Sequence, residues 1–210
     1  MRIASFVAGC LLAAGTALFA HAQGEDAKAF VQREANRGVS ILSNDSLSAA
    51  DRRAQFRDFI LGLVDQQRIA KFSLGQYAKQ ISAADFNAFV DAFKDYGVAV
   101  YEARLSRYKG QTLNVSGVVE RAPNDIVVTT DLSGPEGSQS SGEPLHVAFR
   151  LSTDGGAFKA IDIQVAGIWL AIDQRSQITG FLGQHNGDIN ALIADLKTRA
   201  ANVRAGLAEE

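Results

Sequence analysis

Cysteine is all but missing from this sequence. Cys10 is the only one in 210 residues, and it falls in an N-terminal stretch that reads as an export signal. Arg2 gives that stretch a short positive start, and Ile3 to Ala20 carry no charge. Ala20-His21-Ala22 then puts small residues at the two positions a signal peptidase reads. Cleavage before Gln23 is the expectation, leaving residues 23–210 as one domain. Gly9, Gly15, Thr16 and many alanines make the run a weakly hydrophobic one, which argues against a membrane anchor. Val7-Ala8-Gly9-Cys10 resembles a lipoprotein box, but the apolar residues follow Cys10 instead of preceding it. The cysteine therefore belongs to the signal's apolar segment and leaves with it. The exported chain then has no thiol, which excludes disulfides, thiolate nucleophiles and cysteine metal sites.

Histidine and excess positive charge are scarce as well. With Arg2 removed, 20 basic residues face 23 acidic ones, too balanced for the concentrated basic face a nucleic-acid binder needs. The clusters Arg52, Arg53, Arg57 and Arg104, Arg107, Lys109 read as solvated helix faces. His21 goes with the signal, so His146 and His185 are left. No HExxH, GxSxG, GxxxxGK or GxGxxG motif occurs, and metal-ligand spacing is absent. The one conceivable acid–base pair is His146 with Asp162, both on the polar faces of predicted strands. His185, in Gly183-Gln-His-Asn-Gly187, reads as a turn residue. No catalytic residue, metal site or cofactor is expected.

What the chain does have is pattern. Gln23 to Ser43 has helical character, and Ser48-Ala-Ala-Asp51 caps a helix carrying Phe56, Phe59, Ile60, Leu63 and Val64. A short helix over Asp65 to Phe72 leads to a break at Gly75. Ser82-Ala-Ala-Asp85 repeats the cap and opens what reads as the longest helix. Phe86, Phe89, Val90, Phe93, Tyr96, Val100, Tyr101, Leu105 and Tyr108 run along it to Lys109-Gly110. From Thr112 the period changes to two. Four strands alternate apolar and polar residues around Val115, Val128, Val147 and Ile163, as in an antiparallel meander with one wet face. Pro123-Asn124-Asp125 and Thr153-Asp154-Gly155-Gly156 supply turns, and Gly134 to Pro144 a long connection. Gly167 to Asp173 reads as a fifth strand, followed by helices near Asp173 to Gly183 and Asp188 to Gly206. The expected class is α+β: a curved sheet with helices on its apolar face. Phe86, Phe89, Phe93, Tyr96 and Tyr101 are expected to face the same interior as Val147, Phe149, Ile163 and Val165, with room for an apolar ligand between the layers.

Two stretches carry a family resemblance. Asp65…Ile69-Ala70-Lys71-Phe72-Ser73-Leu74-Gly75-Gln76-Tyr77, then Ser82…Phe86…Phe89…Phe93, resembles the N-terminal half of the MlaC-type periplasmic phospholipid-binding proteins. Asp162-Ile163-Gln164-Val165-Ala166-Gly167-Ile168-Trp169-Leu170, followed by Gln174-Arg175-Ser176-Gln177, is similar to that family's second half. Ala78 and Ile178 depart from it, standing where the family often has aromatics.

The resemblance implies an NTF2-like sheet with a helical layer enclosing a hydrophobic pocket. It further implies a monomeric periplasmic carrier of phospholipid between the outer and inner membranes. Its partners would be an inner-membrane ABC transporter with MCE-type subunits and an outer-membrane lipoprotein complex. The lipid-binding residues expected on this basis are Phe72, Tyr77, Phe89, Phe93, Val147, Phe149, Ile161, Ile163, Val165 and Trp169. Three rivals stand beside it: a carrier of hopanoid or another polycyclic lipid, an NTF2-like enzyme using His146 and Asp162, and a periplasmic adaptor without ligand.

Overall fold

Each Ser-Ala-Ala-Asp stretch starts a helix by the same reciprocal bond. Ser48 Oγ accepts from the Asp51 amide at 3.1 Å and donates to its carboxylate at 2.6 Å. Ser82 and Asp85 repeat this at 3.1 and 2.8 Å. Such caps satisfy amide groups that the first turn leaves unpaired, and each contributes about 1 kcal/mol. The computed structural model describes residues 13–105, 108–134 and 144–206. The start of the expected signal, with Cys10, and most of the Gly134–Pro144 connection lie outside the described residues.

In chain order the elements are α1 (Ala13–Leu42), α2 (Ala49–Leu63), α3 (Gln66–Leu74), a 3₁₀ turn (Gly75–Lys79) and α4 (Ala83–Leu105). Then come β1 (Thr112–Ala122), β2 (Asp125–Ser133), β3 (Leu145–Ser152), β4 (Lys159–Val165), β5 (Ile168–Trp169), α5 (Leu170–Gln184) and α6 (Ile189–Arg204). The five strands form one antiparallel meander in sequence order, so the α+β class expected from the sequence holds. Asn124, with φ of 63°, turns the first hairpin. Ala166 and Gly167, both at positive φ, turn the last, the conformation a two-residue hairpin loop demands.

Helical segments take up strand backbone groups at β1 and, where β5 does not reach, at β4. On β1, the Gln32 side-chain amide of α1 donates to the Leu113 carbonyl at 3.1 Å and accepts from the Val115 amide at 2.9 Å. Beside β4, the link between α2 and α3 adds a parallel bridge, Val64 to Ala160, with Asp65 N donating to the Ala160 carbonyl at 3.0 Å.

The end of the sheet differs from the sequence reading. The fifth strand is only two residues long, and helix takes over at Leu170. The cause is Asp162, whose carboxylate on β4 accepts from the Ala171 amide at 2.8 Å and so caps α5 from outside the helix.

The helices also do not form one layer facing the sheet. One core joins Ala27 and Val31 of α1 to Ile126, Val128, Leu151 and Ala160 of the sheet, with Phe30 against Phe158 at 5.2 Å. A second core is wholly helical: Leu74 of α3, Phe89 and Tyr96 of α4, Leu182 of α5, Leu192 and Leu196 of α6. The two share no buried residue. Phe89, Phe93 and Tyr96 thus pack against helices, and the strip Val147, Phe149, Ile163 and Val165 on the sheet stays half-buried.

Candidate functional site

Helices α2 and α4 meet at Phe56 and Tyr101 and leave a gap beyond them. Between them, with the start of α3 at one end, lies a half-open cavity of about 180 Å³. Ile60, Leu61 and Val64 of α2, Ile69 of α3, and Phe93, Gly97, Val98 and Tyr101 of α4 give it an apolar wall. Arg57, Gln66, Lys94 and Glu102 complete the lining and are its only charged or polar side chains besides the tyrosine.

Gly97 brings bare backbone to the trough lining in mid-helix. A Cβ built there would meet nothing within 4 Å, so a glycine that weakens the helix sits over empty space. At one end Tyr101 stacks on Phe56 at 5.3 Å with planes 6° apart. Burial pushes its hydroxyl far above the usual range, so it stays neutral at any ordinary pH. Beside it Arg57 of α2 faces Glu102 of α4 at 3.8 Å, and Arg57 Nε also reaches Asp58 at 3.4 Å. From Lys94 to Glu102 the trough follows about two turns of α4, roughly 12 Å. The volume is close to that of a cavity known to hold one benzene, about 150 Å³, so the space as it stands admits only a short apolar segment.

Of the ten residues expected to bind a ligand, Phe93 alone lines this cavity. Phe89 is fully buried in the helical core, its ring 5.6 Å from that of Phe93. Tyr77 packs against the edge of that core. Phe72 is exposed, with the Arg175 guanidinium 4.9 Å above its ring. Val147 pairs with Val165, and Phe149 with Ile163, as neighbours on the sheet's apolar face. Ile161 falls where the β3–β4 register slips, and Trp169 is the residue before α5. The structure brings the four sheet residues together but does not join them to the aromatic side chains of α3 and α4.

The acid–base pair does not form. His146 bonds to Asp131 instead, Nδ1 to Oδ1 at 2.7 Å, in an exposed position. Asp162 is buried, its carboxylate taken up by the amides of Ile163 and Ala171 at 2.8 Å each. Burial raises its pKa, while those two amides and Arg150 pull it down. This arrangement makes Asp162 a helix cap. His185 stacks on Phe181 at 3.9 Å and Nδ1 bonds that residue's carbonyl at 2.8 Å. Among the described residues no group of three or more His, Cys, Asp or Glu could hold a metal ion, and no helix is long and apolar enough to cross a membrane.

Sequence reasoning put Ile60 and Val64 in a core stripe and gave Arg57 to a solvated face. Gly97 was the signal that could have found the trough, because a lone glycine inside a strong helical pattern asks for a reason.

The family model for MlaC protein matches residues 32–198 of the chain. Among solved structures, the chain is similar to a phospholipid-binding protein from Ralstonia solanacearum, determined in complex with a phospholipid. That likeness has a TM-score of 0.72 at 20% identity and covers 84% of this chain and 97% of the other. None of the curated proteins matches the chain.

Proposed function

The chain belongs to the MlaC protein family, and from that premise we propose that it binds phospholipid and carries it between membranes as the soluble part of an ABC-type lipid transport system. It acts in the periplasm, after loss of the segment up to Ala22, and docks on an MCE-type inner-membrane subunit and on an outer-membrane lipoprotein complex. The observation that carries this reading is the apolar trough between α2 and α4, with charge confined to its rim. An acyl chain enters there when the two helices part beyond the present volume.

The need for such a protein follows from the hydrophobic effect. Exposing about 30 methylenes at ~0.8 kcal/mol each costs roughly 24 kcal/mol. As a barrier that gives a rate on the order of 10⁻⁵ per second, too slow to maintain a membrane. A protein that exchanges bilayer contacts for its own apolar wall lowers this barrier without chemistry.

Lipid extraction and mass spectrometry of the purified protein test the reading, with glycerophospholipid as the expected ligand and a polycyclic lipid as the result that would redirect it. Gly97→Leu tests the place. A Cβ at this position meets nothing within 4 Å, so the variant should fold, narrow the trough and come out depleted of lipid. The half-buried strip of Val147, Phe149, Ile163 and Val165 is the second apolar surface to try. If folded Val147→Arg and Ile163→Asp lose lipid while Gly97→Leu stays loaded, the ligand lies against the sheet and the trough assignment is wrong.

A further inference from the structure

The two charges at the Tyr101 end of the trough are held more loosely than the two ion pairs that clasp the sheet and α6. Arg150 grips Asp125 through two hydrogen bonds of 2.8 and 2.9 Å, and Arg204 grips Asp95 through two of 3.0 and 2.6 Å. Arg57 and Glu102 stand 3.8 Å apart, beyond the 2.7–2.9 Å of a charge-assisted hydrogen bond. Both side chains are partly exposed, at 41% and 26%, and both belong to the trough lining. They come from opposite walls, α2 and α4, so any opening of the trough separates them further. Glu102, and Arg57 with its Nε 3.4 Å from Asp58, then each present a charge to whatever stands at the mouth.

A positive and a negative group side by side over an apolar slot form the complement of a particular headgroup. A phosphodiester suits a guanidinium, which can meet two of its oxygens at once. A carboxylate beside it suits a primary ammonium set one ethylene spacer from the phosphate. An anionic headgroup with hydroxyls in place of the ammonium would put its phosphate near Glu102 with nothing to offset that charge. Resting on the carrier reading above, we infer that Arg57 and Glu102 select a zwitterionic phospholipid of the phosphoethanolamine type. Arg57 takes the phosphate and Glu102 the ammonium. In the empty protein the two charges face each other; in the loaded one each meets its opposite on the ligand.

Competition from mixed vesicles tests this. The delipidated protein is incubated with equal amounts of phosphatidylethanolamine and phosphatidylglycerol carrying the same acyl chains, re-isolated, and its lipid quantified by mass spectrometry. Wild type should take up the ethanolamine lipid about threefold to fivefold over the glycerol lipid, the size that partly exposed ion contacts support. Glu102→Gln should bring the ratio to about one, and Glu102→Lys should invert it. Both positions are on the surface, and circular dichroism with thermal melting checks that the variants fold. An even ratio in wild type, or a ratio unmoved by both substitutions, overturns the headgroup assignment while lipid uptake itself continues. No uptake of either lipid by wild type overturns the carrier reading and this inference with it.

Discussion

Helix α4 is apolar on two sides, and only one of them is filled. Phe89, Ala92, Tyr96 and Ala99 press into the helical core against α6 with almost no exposed surface. Phe93, Gly97, Val98 and Tyr101, one position further round, line a trough. The ion pairs follow the same division. Asp95 is clasped by Arg204 of α6 through two hydrogen bonds, whereas Glu102 meets Arg57 of α2 at 3.8 Å. One side of the helix is clasped to α6 by paired hydrogen bonds, and the other meets α2 through a ring stack and a loose ion pair. Apolar periodicity marks both sides alike, because the burial it reports can be completed by protein or by a ligand.

The largest expected contrast is in stability. Phe89→Ala empties a closed site and should cost about 3–5 kcal/mol, whereas Val98→Ala, beside existing empty space, should cost about 1 kcal/mol or less. Denaturant unfolding of the two variants checks this, and equal losses would mean that the trough side is packed as tightly as the core. Gly97→Ala sharpens the comparison with the opposite sign. A methyl there meets nothing and removes a mid-helix glycine, so the variant should gain about 1 kcal/mol, visible as a raised melting temperature.

The smallest effect is electrostatic. The Arg204 hydrogen bonds hold the Asp95 carboxyl below its usual range. A carboxyl whose pKa is lower folded than unfolded contributes stability that is complete above the unfolded value, about 4, and is lost as pH falls through the folded one. Arg204→Gln should therefore lower the melting temperature slightly at pH 7 and hardly at all near pH 2. Solvent screening keeps the difference below about 1 kcal/mol. A deficit that persists at pH 2 would mean that Arg204 acts by packing and not by charge.

Much of the fold was legible in the residues. Ser48, Ser82 and Asp188 announced their helices, and Asn124 and Gly155-Gly156 their turns, because caps and tight turns are decided by neighbours in the chain. The start of α5 was not legible, since its Ala171 amide is satisfied by Asp162, nine residues upstream on another element. The division into two cores was hidden for a related reason. Phe89 and Phe149 look equally buried in sequence, and only the tertiary arrangement sends one to the helices and the other to the sheet. The trough was the least legible feature, because part of its lining is bare backbone at Gly97.

The amide of Gln32 has a further consequence. An edge strand of 11 residues such as β1 would ordinarily offer its free amides and carbonyls as a template for a strand from another molecule. Here a helix side chain occupies the Leu113 carbonyl and the Val115 amide, and on β4 Val64 and Asp65 occupy Ala160. The side chain of Gln32 and the α2–α3 link thus take up two backbone groups of β1 and one of β4, so a strand from another molecule adding along Leu113–Val115 would first have to displace Gln32.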